Sequence, residues 1–276
     1  MADEISVELV ESLEATAREV RRDIIRRTAA AGSGYPGGSL SVVDLLVALI
    51  FHELRIDPGA PGGADGDRLV LSKGHAAPAL YSAMAIRGFL PREELLALGR
   101  PGRPARSFLG ASNGGPGQGI GEAVGMALAA RLDRRPSRVH AILGDGECQA
   151  GATWEALLAG GHHRLENLVV LVDRNGYEAD GATEAIMGIE PIAEKFRAFR
   201  YRTLEIDGHD FREILGALAT ARQTADGPTA IVARTVKGKG VSFMENTHVW
   251  HARAPSKDET ERALLELGVP PTEVAR

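Results

Sequence analysis

The chain has 276 residues, 44% hydrophobic and 25% charged, the balance of an ordinary globular protein long enough to bury a large core. Its 32 Lys and Arg against 37 Asp and Glu leave a net charge of −5 with the positive residues scattered, which argues against a nucleic-acid partner, and no apolar run is long enough to span a bilayer. The one cysteine, Cys148, excludes an internal disulfide and fits a reducing, cytoplasmic setting, and the acidic, amphipathic start MADEISVELVESLEA does not read as a signal peptide.

Residues 7–31 read as a helix, with Leu9, Leu13, Ala17, Val20 and Ile24 on one stripe. The glycine-rich stretch GSGYPGGSLS follows, with Tyr35 at its centre, and then a helix across 41–54. By itself that stretch is a turn capped by Ser39 or Ser41, with Tyr35 laid on the surface. DPGAPGGADGD is a surface loop by its Gly, Pro and Asp content. DRLVLSKGHAAPALYSAMAIRGFL reads as a short apolar run, a polar break and a helix, and a second Gly/Pro-rich loop spans 99–119 and enters the helix IGEAVGMALAARL. From there the pattern is regular. RVHAIL, NLVVLVD, RTLEI and TAIVAR read as strands, separated by helical stretches at 151–164, PIAEKFRAF and FREILGALATARQ. Such alternation predicts an α/β fold, a mostly parallel sheet with helices on both faces. Ligands of such sheets bind outside the carboxyl ends of the strands.

Chemistry-bearing residues sit at those ends. RVHAIL runs into GDGE, Gly144 to Glu147, and the next strand ends in Asn175, so Asp145 and Asn175 lie 30 residues apart (175 − 145), about one strand–helix–strand unit. Carboxylate and amide oxygens at neighbouring strand ends suit Mg²⁺ or a similar hard ion such as Ca²⁺ or Mn²⁺. The glycines beside Asp145 let a diphosphate approach the backbone, and a helix after it would offer N–H groups to an anion. GDG alone is more simply a strand-ending turn; GDG with its strand, helix and distant Asn is more specific.

GDG, about thirty residues and then Asn resembles the thiamine diphosphate fingerprint. From about residue 10 to 256 the chain resembles the amino-terminal, diphosphate-binding half of a transketolase, of the kind encoded as two polypeptides. The likeness rests on GSGYPGGSLS, DRLVLSKGHAAPALY, GQGIGEAVGMALA, LGDGE, WEA, DRNGYEADG and RTVKGKGVSFMENTHVWHARAP. It implies a single diphosphate-binding domain over 1–276, with an N-terminal helix at about 7–31 and a tail at about 235–276. It also implies that Asp145, Asn175 and the Tyr177 carbonyl ligate Mg²⁺, and that Gly144, Gly146 and Glu147 lie at the diphosphate. Gly114, Gly115 and Pro116 would approach the aminopyrimidine. His75 and His251 would reach the cofactor and the reaction centre, and Glu155 would face a subunit interface. A lone histidine is more often a hydrogen-bonded structural residue; these two sit inside matching motifs.

Four positions depart from the family pattern. Tyr35 stands where the family has a histidine that handles a donor hydroxyl. A phenol titrates near pH 10 and an imidazole near 6.5, so a tyrosine there can donate a hydrogen bond but accepts a proton poorly at neutral pH. Arg103, in PGRP, stands where a histidine is typical; it reads equally as a cation for an anionic group or as a solvated surface arginine. Ala150 replaces a glutamate that the family places in an acid cluster linking two active sites. Pro116 also replaces a more usual leucine.

In the family, the glutamate that activates the aminopyrimidine and the arginines that grip the substrate phosphate lie on a second domain, which the 235–276 tail is too short to supply. The resemblance therefore implies a partner polypeptide with the pyrimidine-binding and C-terminal transketolase domains, an α2β2 assembly, and transfer of a two-carbon ketol unit from a ketose or ketose phosphate to an aldehyde. Two other readings remain: a thiamine-dependent carboligase or decarboxylase acting on a 2-oxo acid or an unusual sugar, and a non-catalytic regulatory subunit.

Overall fold

The computed structural model describes residues 5–60, 62–63, 65–93, 109–111 and 115–274. Its first element is helix α1, Val7–Ala31, which starts where the Ser6 side chain accepts from Leu9 N (3.1 Å) and stops at Gly32 in the left-handed conformation. Leu13, Ala17, Val20 and Ile24 are buried along its predicted stripe.

The next helix begins earlier than the pattern predicts. Helix α2 spans Pro36–Ser41 and α3 spans Val43–Ala48, followed by a wide turn at Leu49–Glu53. Pro36 supplies the pre-set φ of a first helical position, with Tyr35 as N-cap, so neither Ser39 nor Ser41 caps the start. Gly37 and Gly38 tolerate helix here because other chain segments crowd them. Gly37 N donates to the Trp250 carbonyl (3.0 Å), and Gly238 N donates to the Gly37 carbonyl (3.0 Å).

Among the described residues six strands form one sheet in the order β2-β1-β3-β4-β6-β5. They are β1 (Arg68–Leu71), β2 (Leu109–Ala111), β3 (Val139–Gly144), β4 (Leu168–Arg174), β5 (Arg202–Asp207) and β6 (Thr229–Arg234). Every pairing is parallel, so the α/β expectation holds. β2 lies inside the loop predicted for 99–119. Three residues containing a glycine, added at the edge beside Leu69–Leu71, carry no periodic signal. The intervening helices are α4 (Ala77–Arg87), α5 (Gln118–Leu132), α6 (Gly151–His162), α7 (Thr183–Ile186), α8 (Ile192–Ala198) and α9 (Phe211–Gln223). The tail holds α10 (Lys257–Glu266) and α11 (Pro271–Val274), one helix more than the sequence predicts.

Alternation along the central strands sorts two cores. Ile142 of β3 and Val169 and Leu171 of β4 join Ile24, Leu46 and Leu218 on one face. Val139, Ala141, Leu143, Leu168, Val170 and Val172 join Ile120, Leu157 and Phe196 on the other. Strands buried on both faces read as continuous apolar runs, which is why these were legible. Each fully buried side chain of this size contributes about 1.5–3 kcal/mol.

One buried polar knot ties the helical layer to the sheet. Arg21 of α1 grips Asp44 of α3 with two bonds (3.0 and 2.6 Å). His209 Nδ1 lies 2.6 Å from Asp44 Oδ2, and His209 Nε2 accepts from Val236 N (2.8 Å). Because Nε2 accepts, Nδ1 carries the proton and donates to Asp44. Burial raises the Asp44 carboxyl pKa, but the Arg21 charge and the bonds from His209 and Arg21 outweigh it, and the net direction is down. Asp44→Ala strands Arg21, which is only 7% exposed. The expected loss is about 3–5 kcal/mol in urea unfolding, against under about 1 kcal/mol for a change at the exposed Arg18–Glu14 pair.

Candidate functional site

Strand β1 leads to β2 on one side and the chain passes to β3 on the other, so the sheet switches direction between β1 and β3. A cleft of about 480 Å³ opens at the carboxyl ends there, within the range of small-molecule sites. Four strand ends line it: Ser72–His75 after β1, Gly144–Glu147 after β3, Asn175–Ala179 after β4 and Lys237 after β6. Tyr35, Gly38, Pro116 and His251 complete the lining. Gly115 is exposed beside Pro116. Gly114 and Arg103 fall outside the described residues.

The β3–β4 pairing sets Gly144 beside Asp173, so the GDG turn and the Asn175 turn are neighbours, as their spacing suggests. Asp145 Oδ1 accepts from Gly146 N (2.8 Å), and Oδ2 accepts from Gly176 N (2.6 Å) and Thr183 Oγ1 (3.3 Å). Asn175 Oδ1 accepts from Tyr177 N (3.1 Å). Asp145, Asn175 and Tyr177 line the same cleft and bring one carboxylate, one amide oxygen and a backbone carbonyl to it, the kinds of oxygen donor a hard cation takes. Among the described residues no group of three or more His, Cys, Asp or Glu side chains forms a metal cluster, and this set contains only one such side chain. Burial, and after it the Asp173 charge, push the Asp145 carboxyl up to about 6. A cation beside it would reverse that push.

The GDG turn does not run straight into a long helix. A short 3₁₀ turn, Gly146–Gln149, comes first, and Asp145 itself takes the first N–H. The close contact here is different: a Cβ on Gly146 would lie 2.8 Å from Glu178 Cβ, so only glycine lets the β4 turn approach. Glu147 also differs from a free cofactor contact. Its oxygens accept from Ser72 Oγ, Gly117 N (2.9 Å) and Gly144 N (3.4 Å). It pins the Gly115–Gln118 turn to the ends of β1 and β3, and burial raises its carboxyl pKa. Ala150 is the N-cap of α6, and Glu155 is exposed on that helix.

Two cations that motif spacing does not reveal stand beneath these oxygens. Lys73 pairs with Asp173 in full burial. Lys237, 1% exposed, donates to the Glu178 carbonyl (2.8 Å) and the Tyr177 carbonyl (3.4 Å), and lies 3.0 Å from His251 Nδ1. Burial, then the Lys73 charge, bring the Lys237 ammonium down to about 8. Both lysines lie in the family-like stretches, SKGH and VKGKG. Their signal was position: each follows the carboxyl end of a buried parallel strand.

Three rings gather at the mouth. Tyr35 lies 5.7 Å from His75 and 5.6 Å from His251, and the two histidines are 4.9 Å apart, between ring centroids. Gly38 makes this possible, since a Cβ there would meet His75 Nε2 at 2.8 Å. Burial, then Lys73, His251 and Lys237, hold His75 well below the usual imidazole range. Burial, then Lys237 and Lys73, bring His251 down to about 4, against a smaller opposing pull from Asp180. Both imidazoles are neutral at pH 7, so each can donate through one nitrogen and accept through the other.

A wholly parallel sheet with oxygen donors and buried lysines around a switch-point cleft defines an α/β protein with its ligand cleft at the strand ends. Comparison with known proteins narrows this. Residues 12–275 match the family described as transketolase, thiamine diphosphate binding domain. Over 263 residues the chain is 39% identical to the 6-deoxy-6-sulfo-D-fructose transketolase subunit SqwG of Clostridium sp. (strain MSTE9), covering 92% of this chain and 96% of that one. It is 34% identical to one subunit of the apulose-4-phosphate transketolase of Phocaeicola vulgatus, covering 94% of each. Against the transketolase of Mus musculus it is 36% identical, and there it spans 42% of the relative's length. The crystal structure of Campylobacter jejuni transketolase superposes with a TM-score of 0.85 at 31% identity, over 96% of this chain and 44% of that one. The chain belongs to the transketolase family and corresponds to its thiamine diphosphate binding domain.

The histidine environment has a testable sign. A histidine whose folded pKa lies below its unfolded value binds fewer protons when folded, so stability falls as pH drops from about 6.5 toward 4. His251→Gln removes that proton linkage. The decline in melting temperature between pH 6.5 and 4 should be shallower in the variant, measured by thermal unfolding across that range. An unchanged decline would mean that His251 is protonated in the folded protein.

Proposed function

We propose that this chain is the cofactor-binding subunit of a two-chain transketolase, moving a two-carbon ketol unit from a ketose to an aldehyde. The carrying observation is that Asp145, Asn175 and Tyr177 line one cleft together with the buried Lys73 and Lys237. That set fits a diphosphate with a divalent cation, in charge and in donor chemistry. In this reading the three oxygens hold Mg²⁺, for which Ca²⁺ or Mn²⁺ could stand in. Lys73 and Lys237 offset diphosphate charge, Gly144 and Gly146 admit it to the backbone, and Gly115 and Pro116 flank the ring end. Bound thiamine diphosphate supplies a nucleophilic carbon that can accept and release the ketol unit.

The protein residues then have distinct work. Glu147, which lines the cleft, also keeps the glycine turn in register through Gly117. His75 and His251, held neutral by burial and after it by their lysine neighbours, can donate a hydrogen bond to a donor hydroxyl or accept one from it without carrying a charge into the cleft. Tyr35, 39% exposed at the mouth, faces the same space and can donate a hydrogen bond.

A second polypeptide is part of the proposal. The chain matches nearly the whole of two relatives named as subunits but under half of full-length transketolases, so the remaining domains would come from a partner, with an α2β2 assembly the simplest symmetric arrangement. Those two relatives are named for a sulfonated ketose and for apulose 4-phosphate. With tyrosine at position 35, those names favour a donor outside the ordinary pentose phosphates.

Two measurements test this. With its partner present, the chain should bind thiamine diphosphate and Mg²⁺ by calorimetry, and Asp145→Ala should weaken binding at least tenfold, because it removes the only anionic oxygen donor. Wild-type affinity in that variant would overturn the site. In the assembled enzyme, Tyr35→His should raise ketol transfer from ordinary ketose phosphates relative to the native donor. Tyr35→Phe should slow the native reaction up to about tenfold, the worth of one hydrogen bond made in the transition state. Identical donor ratios and rates in all three proteins would make Tyr35 a packing residue.

A further inference from the structure

Asn175 presents a problem that the oxygen set alone does not solve. Its amide has an oxygen and a nitrogen of nearly equal size, and only the oxygen can face a cation. A flip would place two N–H bonds where a lone pair is needed. A chain of hydrogen bonds beneath the cleft settles which way the amide points.

The chain starts from charge. Lys73 pairs with Asp173, and both are fully buried, so Asp173 is a carboxylate and accepts only. Thr235 Oγ1 donates to its Oδ1. Ser41, the last residue of α2 and itself 0% exposed, lies with Oγ 2.6 Å from Asp173 Oδ2 and 3.2 Å from the Gly38 carbonyl. A hydroxyl has one proton, and the nearer, charged acceptor takes it. The Ser41 lone pairs are then left to face Asn175, whose Nδ2 lies 3.2 Å away and donates to them. On the opposite side Tyr177 N, which can only donate, points at Asn175 Oδ1 (3.1 Å). The direction of each bond follows from the one before it, and the last one fixes the amide.

We infer that Ser41 is a positioning residue that locks the Asn175 amide with its oxygen toward the cleft, through the order imposed by the Lys73–Asp173 pair. This rests on the proposed role of Asn175 in holding a divalent cation, and it adds a residue that touches neither cation nor cofactor. Without Ser41, one end of a buried amide has no acceptor, and only the Tyr177 N–H still separates the two orientations. Groups that orient a ligand from behind typically alter metal affinity 10–100-fold when removed.

The test is Mn²⁺ affinity in the presence of thiamine diphosphate, read from the free-ion electron paramagnetic resonance signal of the two-chain assembly. Ser41→Ala should weaken Mn²⁺ binding about tenfold or more. Ser41→Cys, which keeps a side chain of similar shape but is a weak acceptor, should show the same direction and serves if the alanine variant does not fold. Thr235→Val removes another hydroxyl from the same carboxylate without touching Asn175, and should change affinity much less. The decisive arm is the Asn175→Asp background. Aspartate has two equivalent oxygens and no wrong orientation, so Ser41→Ala should cost little there. Unchanged affinity in Ser41→Ala and Ser41→Cys, equal losses in Ser41→Ala and Thr235→Val, or a loss that persists in the Asn175→Asp background would each overturn the inference. If the wild type binds no Mn²⁺ with thiamine diphosphate, the cation site fails and this inference falls with it, an outcome distinct from the other three.

Discussion

The arrangement of the cleft depends on one buried ion pair, Lys73 with Asp173. Neither group reaches water, so each is tolerable only because of the other, and removing one partner of such a pair typically costs about 3–5 kcal/mol. An apolar pair of the same volume could be as stable. What an apolar pair could not do is impose direction. Asp173 sits near the carboxyl end of the central strand β4, its carboxylate bonded to residues from three other places: Lys73 after β1, Ser41 at the end of α2 and Thr235 after β6. Those are nearly the same segments that line the cleft, so the pair sets their separations from below.

The same pair organises the electrostatics above it. Burial is the first cause of each shift there; after it Lys73 disfavours protons on His75 and, behind Lys237, on His251, and the Asp173 charge raises Asp145. Lys237 extends the effect, since it pushes on the same imidazoles. The floor is thus strongly polar and the imidazoles at the mouth neutral.

Much of the scaffold was legible because its strands are continuous apolar runs and its helices carry clear stripes. FREILGALATARQ and TAIVAR match their elements residue for residue. The errors share a cause. The start of α2, the strand β2 and the 3₁₀ turn after GDG are decided by contacts between distant segments, to which local periodicity is blind. The site divides the same way. GDG and Asn175 could be read because the βαβ unit links sequence spacing to spatial adjacency. Lys237, Ser41 and Asp173 could not, since their importance lies in partners that only the fold supplies. Glu147 was legible as a residue near the cofactor but not as a pin, because its donors come from β1, β3 and the turn before α5.

The His209 bridge has a consequence for motion. One imidazole joins Asp44, and through it Arg21 of α1, to the backbone of Val236, one residue before Lys237. Arg22, the next residue of α1, holds the Leu267 and Gly268 carbonyls just beyond α10. The segment that carries Lys237 is therefore anchored to the first helix of the chain and not only to its neighbour in sequence. A loop free to open would let solvent reach the cleft floor on the timescale of loop fraying. Anchored in this way, the segment exposes its amides only when the helical layer separates from the sheet, a cooperative opening close in cost to unfolding the domain.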